Sequence, residues 1–482
     1  MHGRSACGKA GNAARVGKSV GLPARPGPAL LSVLLPMRFR ALSRVVSSVR
    51  FGVLSGLAVL VLPAAEEAAT PAWRGGFDLR LRNEYFDNAL TLSDSAVRHE
   101  QNYQRYRARA WGSVDVVPSL TVNARLVWES WDWNKDSYKA PYTDGWVWSD
   151  GVFDQLNLTW TVPGDVPARI VAGRQDIVLG DGWLVSDATS TDGSRTAFFD
   201  ALRVTLPLPG TQTTLDFAYI DMEAYNRNRT PVFNDRRSPI VDQEERSAYV
   251  QISNKSFTGL TLESYLIYRS EDRVLASGDD GEIGTFGGRA VYEPTPHWLF
   301  KGEAAVQWGE LKERDVQAWG FLGQIGWNAK DAANNQLRLS LECLSGDDRN
   351  TARNEQFDIL WGRYPRWSEI GAMLYSAETR SAQFGNLVRF GPLWSVTPLK
   401  PLTVSLEYNA LWALENNRSP TSGFFRADGS FRGHLLRNIV RYKINSHLTA
   451  CSLAELYEPG DYYSVARQDT ALFWRLELTF AY

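Results

Sequence analysis

Apolar and polar residues alternate with a period of two over most of this chain, and the alternation runs to its last residue. Leu472, Trp474, Leu476, Leu478, Phe480 and Tyr482 interleave with Phe473, Arg475, Glu477, Thr479 and Ala481. A β-strand sends successive side chains to opposite faces, so this segment reads as a strand with one face fit for hydrocarbon and the other for water. Similar uncharged faces recur in Leu120-Val122-Ala124-Leu126-Trp128, Leu156-Leu158-Trp160-Val162, Phe300-Gly302-Ala304-Val306-Trp308, Leu337-Leu339-Leu341-Cys343 and Leu402-Val404-Leu406-Tyr408-Ala410-Trp412. From Phe77 onward about eighteen such segments can be marked, each suited to a tilted membrane strand.

Connections between the segments alternate in length. Short turns holding Pro, Gly or Asn are expected near Pro118-Ser119, Pro163-Gly164-Asp165, Pro209-Gly210, Asn254-Lys255, Pro294-Thr295-Pro296, Pro398-Leu399-Lys400-Pro401 and Asn445-Ser446. Longer excursions fall at 87–102, 132–150, 179–199, 224–245, 272–283, 346–381 and 415–431, with a brief loop at 311–315 and a longer turn at 328–335. Short turns at one end and long loops at the other are the habit of outer-membrane barrels. The fold expected is all-β: a transmembrane antiparallel up-and-down β-barrel of about 18 strands, wide enough for an aqueous channel. A soluble sandwich or propeller shares the alternation but accounts neither for the alternating loop lengths nor for the apolar terminal strand, and no blade-length repeat is visible.

Composition agrees. The 18 Trp, 19 Tyr and 21 Phe accompany a slightly negative mean hydropathy, and past the leader there is no 20-residue apolar run of the kind a membrane helix needs. At the start, Arg38, Arg40, Arg44 and Arg50 precede an apolar run from Phe51 to Leu62 and then Pro63-Ala64-Ala65, the layout of a secretory signal. The expected organisation is an upstream extension at 1–36, a signal peptide at 37–65 and the barrel at 73–482. Without residues 1–65 the chain has 43 basic and 54 acidic residues, a net −11 that argues against nucleic acid as a partner. Cys343 and Cys451 fall four strands apart on opposite faces and should not bridge, and the scattered histidines suggest no metal site.

The water-facing rows are rich in arginine. Candidate pore-lining residues are Arg80, Arg82, Arg105, Arg107, Arg109, Arg125, Glu129, Arg174, Arg203, Arg338, Arg437 and Arg475. In a narrow lumen their fixed charges favour anions, and the planar guanidinium suits carboxylates. Carboxylates share these rows, so about half of the set is expected to form cross-strand Arg/Glu ladders in the wall. Arg105, Arg107 and Arg109 stack three like charges on one strand with few acids nearby in sequence, which makes them the expected substrate-facing patch. Strict alternation puts Arg174 on the opposite face from Arg169, so either a bulge intervenes or the strand has left the membrane zone by then. Aromatics at strand ends read first as an interfacial girdle, whereas Trp361 and Trp367, in a long loop flanked by arginines, are candidates for carbohydrate contact.

The sequence resembles the alginate-export outer-membrane proteins. The likeness is carried by Gly173-Arg174-Gln175 followed by Leu179-Gly180-Asp181-Gly182, by Ser345-Gly346-Asp347-Asp348 leading into a long loop with Phe357-Asp358-Ile359-Leu360, and by the strand count. The resemblance implies an eighteen-stranded barrel with an arginine-lined constriction passing an anionic polyuronate outward and loops folded over the pore. Expected partners are outer-membrane lipid, anionic carbohydrate and periplasmic export proteins, with no cofactor and a monomeric state. The alternative is a general or selective porin importing small organic anions or sugars. An outer-membrane enzyme is disfavoured, since no nucleophile elbow or spaced Ser/His/Asp set is present.

Overall fold

The computed structural model describes residues 72–482 apart from 135–144, 187–197, 228, 234–238, 363, 380–382 and 417–422. The expected extension and signal segments, 1–36 and 37–65, lie outside the described residues.

Eighteen strands form one sheet: β1 (Ala72–Asp87), β2 (Glu100–Val117), β3 (Leu120–Trp133), β4 (Gly145–Val162), β5 (Ala168–Gln175), β6 (Phe199–Leu208), β7 (Thr213–Met222), β8 (Gln243–Phe257) and β9 (Leu260–Arg273) make the first half. The second half is β10 (Gly281–Thr295), β11 (Trp298–Leu311), β12 (Arg314–Asn328), β13 (Gln336–Leu344), β14 (Leu387–Leu399), β15 (Leu402–Trp412), β16 (Phe431–Lys443), β17 (Leu448–Pro459) and β18 (Ala471–Ala481). Each strand pairs antiparallel with its predecessor, and β1 pairs with β18 from Asp78↔Ala481 to Asp87↔Leu472, which closes the barrel. Phe77 and Tyr482 extend the seam by exchanging both backbone hydrogen bonds at 2.9 Å. Closure leaves no edge strand, as lipid requires.

The seam shows which row faces which solvent. On β18, Leu472, Trp474, Leu476, Leu478 and Phe480 are exposed, while Phe473 and Arg475 are buried. Beside them Leu79 and Leu81 of β1 are exposed and Arg80 and Arg82 buried. A polar row turned inward and an apolar row outward is the reverse of a soluble core and suits a wall standing in hydrocarbon. Free Cys343 and Cys451 sit on β13 and β17, on opposite rows, as their parity predicts.

Connection lengths alternate as expected, with the brief loop at Lys312-Glu313, where both residues take positive φ (50° and 64°) as a tight hairpin turn demands. Two readings need correction. The turn expected at Asn254-Lys255 lies at Thr258-Gly259, because β8 runs on through a register shift between Asn254 and Phe257. An eleven-residue loop at 460–470, not anticipated from the pattern, joins β17 to β18.

The wall's orientation yields a stability prediction. Leu476→Lys places a charge on the lipid row in mid-strand and is expected to cost about 2–4 kcal/mol in a guanidinium unfolding experiment in lipid vesicles. An unchanged midpoint would mean that this row does not meet hydrocarbon.

Candidate functional site: the lumen and its inward loops

The arginines of the inward rows are brought together across the closing seam. Arg475 of β18 lies 2.6 Å from Glu84 of β1, and Arg82 Nε lies 2.5 Å from Glu477. Next along the wall, Arg105 of β2 bonds Glu129 of β3 at 2.7 Å, and Arg80 reaches the same carboxylate at 3.5 Å. Asp78 accepts from both Arg107 (2.8 Å) and Arg109 (2.7 Å). Arg105, Arg107 and Arg109 therefore do not stand among few acids: register supplies Asp78, Glu84 and Glu129 from the flanking strands. Among the described residues, Arg80, Arg82, Arg105, Arg107, Arg109 and Arg475 gather around Asp78, Glu84, Glu129 and Glu477 of the wall, and Arg475 also meets Glu369 of the β13–β14 loop.

Other candidates are held singly. Arg203 pairs with Asp216 at 2.8 Å, and Arg437 with Glu455 at 3.0 Å. Arg125 bonds Asp154 at 2.7 Å, an acid that a bulge between β3 and β4 turns toward it, and also reaches Asp176 at 3.1 Å. Arg338 meets only carboxamides, Gln336 at 3.0 Å and Gln324 at 3.3 Å. Near the short-turn end of the inward rows, Arg169 of β5 and Arg441 of β16 are exposed. Among the described residues, Arg169, Arg338 and Arg441 form no ion pair.

Arg174 does not line the pore. It pairs in register with outward-facing Leu156, and its parity places it on the outer row. The bulge-like backbone there is carried by Gly173 (φ 113°), where a Cβ would stand 2.5 Å from the Leu156 carbonyl oxygen. Arg174 makes a bidentate pair with Asp200 (2.8 and 2.9 Å), donates to the carbonyls of Phe153 and Thr230, and lies 4.0 Å from the Phe198 ring. Asn226 bonds the same Asp200, and Phe233 packs against Phe153. The pair is thus a clamp that seats the β7–β8 loop on the outer wall.

The decisive feature of the lumen is a plug made by two loops. The β13–β14 loop (345–386) touches inward side chains around most of the barrel. Asp358 takes Arg269 of β9 at 2.9 Å and binds Gln307 of β11 through its backbone N–H and carbonyl; the Trp361 indole donates to Glu245 of β8 at 2.7 Å. Further on, Ser345-Gly346-Asp347-Asp348 builds the loop's base, with the Ser345 carbonyl accepting from Phe357 and Asn386. A short helix, α1 (Glu369–Leu374), aims its first N–H groups at Glu455 of β17. That carboxylate accepts from Ser368 Oγ (2.9 Å) and from the Glu369 and Ile370 amides, while Glu369 itself takes Arg475 at 2.9 Å. An anion at a helix N-terminus is favoured by the orphan amides and the helix dipole. A segment bonded to inward side chains of β8, β9, β11, β17 and β18 can only lie inside the cylinder.

The β5–β6 loop joins it there. The Trp183 indole donates to Glu342 of β13 at 3.0 Å, and Trp361 N–H bonds the Leu184 carbonyl. Gly362 permits the contact, since a Cβ would overlap the Trp183 carbonyl oxygen. Asp181 is tied to Arg289 (3.0 Å) and Lys301 (3.1 Å) on the wall. Trp361 and Trp367 are buried within this plug, under Arg269 and Arg389 respectively, and so are packing residues in this conformation rather than open carbohydrate platforms. The sequence reading overlooked Trp111, whose parity with Arg105, Arg107 and Arg109 was visible; it stands on the inward row and is 43% exposed.

A family model described as alginate export matches residues 76–473. OccAB3 of Acinetobacter baumannii superposes with a TM-score of 0.53 at 12% identity, covering 85% of this chain and 99% of that one. The outer membrane protein opdK from Pseudomonas aeruginosa gives 0.51 at 13% identity, covering 85% and 99%. OccK11 (OpdR) of Pseudomonas aeruginosa gives 0.50 at 14%, covering 84% and 95%. At such identities these likenesses show the fold. No curated protein matches the sequence.

Burial alone would raise the Asp181 carboxyl, but Lys301 and Arg289 outweigh it and hold it below the usual carboxylate range. The tether is thus complete at and above the ordinary value of about 4 and fades only as pH falls through the lowered one. Asp181→Asn is expected to loosen residues 176–186 at pH 7 by about 0.5–1 kcal/mol at this half-exposed site, read as faster hydrogen exchange. Equal protection in both forms would discard the tether. Glu455→Ala, which strips α1 of its anchor, is expected to raise single-channel conductance in planar bilayers; an unaltered conductance would show that α1 does not restrict the path.

Proposed function

The chain belongs to the alginate-export family and is a channel of the bacterial outer membrane; we propose that its cargo is an anionic polysaccharide or oligosaccharide of the polyuronate kind, moving outward down its gradient. The reading is supported by the concentration of arginine at the seam, where six arginines gather around four wall carboxylates and Glu369 of the plug across β18, β1, β2 and β3. A row of guanidinium groups spaced along strands offers a carboxylated polymer successive weak holds, so that it enters and still leaves.

Outward movement is supported by the positions of Arg169, Arg338 and Arg441, which stand near the short-turn, periplasmic end without acidic partners. Unopposed cations at a mouth raise the local concentration of an anionic polymer there. Passage is by diffusion. The seam carboxylates are engaged by arginines in ladders, an arrangement that suits stiffness and spacing rather than acid–base work.

The test is ion selectivity in planar bilayers. Replacing Arg105, Arg107 and Arg109 together by Ser removes three cations and leaves Asp78 and Glu129 with reduced or no compensation, so the zero-current potential in a salt gradient is expected to move toward cation preference. Retained anion selectivity would remove the seam arginines from the conduction path. Blockade by oligouronates in preference to small organic anions separates polymer export from the import of small solutes.

A further inference from the structure

Trp111 is out of keeping with its row. The large exposed apolar side chains of neighbouring strands, such as Leu79, Leu81, Val114, Trp128, Leu156 and Leu158, face outward, whereas the Trp111 indole faces the polar interior and remains 43% exposed. Its ring lies over Gly76, where a Cβ would meet indole Nε1 at 2.9 Å. Filling that gap accounts for its seat but not for the face it leaves open to water, and no aromatic partner covers that face among the described residues.

A cavity of about 250 Å³ opens beside it, lined also by Asp78, Arg109, Arg125, Ser113, Asn123 and Gln155. That is slightly under the roughly 300–1,000 Å³ of common ligand pockets, room for one sugar ring. The groups around it divide their tasks. Arg109 is held by Asp78 through Nε, and its terminal nitrogens make no hydrogen bond among the described residues, leaving a guanidinium edge for a carboxylate. Arg125 is fully engaged by Asp154 and Asp176, whose charges offset its own, so Arg109 is the cation left to meet a carboxylate. Ser113 donates to Asn123 (2.7 Å), which donates to Asn157 (3.0 Å), a strip of polar groups suited to ring hydroxyls.

From this arrangement we propose that Trp111 and Arg109 form a uronate-binding subsite on the inner wall, with the sugar's apolar face on the indole and its carboxylate on the guanidinium. The subsite lies at the periplasmic end of the arginine seam, to which Arg109 belongs, with Trp111 six residues from the end of β2. A polymer entering from the periplasm meets it before Arg107 and Arg105. The inference deepens the anionic-saccharide reading and rests on it.

Single-channel blockade by a defined tetrauronate, beside a neutral tetrasaccharide, tests it on the full barrel. Each variant is first shown to be folded by its heat-modifiable migration. Trp111→Ala is expected to shorten the tetrauronate dwell time roughly five- to tenfold, the scale of one lost stacking contact, and Trp111→Phe to keep most of it. Arg109→Gln shortens the dwell time of the tetrauronate and leaves that of the neutral sugar unchanged. Blockade of the unmodified channel with dwell times unaltered in Trp111→Ala would overturn the subsite and spare the cargo reading. No blockade of the unmodified channel by tetrauronate would overturn both.

Discussion

Hydrocarbon offers a peptide group no hydrogen-bond partner, and from that constraint the whole structure follows. Every strand must be paired on both edges, so the sheet closes on itself at β1 and β18, and the pairing runs to Phe77 and Tyr482. Closure then dictates the side-chain code. Rows such as Leu472 to Phe480 face out, and their alternates, Arg475 and Glu477 among them, have only the lumen to occupy.

Gathering so many ionised groups inside a cylinder creates a second problem, and the structure answers it by sharing. Asp78 serves two arginines, Glu129 two more, and Glu455 neutralises Arg437 while capping α1. Sharing is economical in carboxylates.

The plug is built from the same pieces. Asp358, Glu369 and Asp181 are loop acids docked on Arg269, Arg475 and Arg289 of the wall, so inward arginines also hold the loops within the lumen.

The division between what could be read along the chain and what could not follows from the range of the forces involved. Alternation and turn residues are local, so the strand count, the facing of Cys343 and Cys451 and most connections were legible; even Arg174's outward parity was, and so was Trp111's inward parity, though its meaning was missed. The turn after β8 was misplaced because a register shift is settled by the neighbouring strand, not by Asn254 itself. What only the tertiary structure decided is who meets whom across the wall: that Asp78 faces Arg109, that Arg475 reaches Glu84 and Glu369, and that Trp361 and Trp367 are buried in a plug. The sequence by itself determined a closed, two-faced cylinder rich in inward arginines, because the period of two needs no distant partner. Charge compensation does need one: a carboxylate neutralises an arginine only at contact distance, and contact between residues hundreds of positions apart exists only once the barrel has closed.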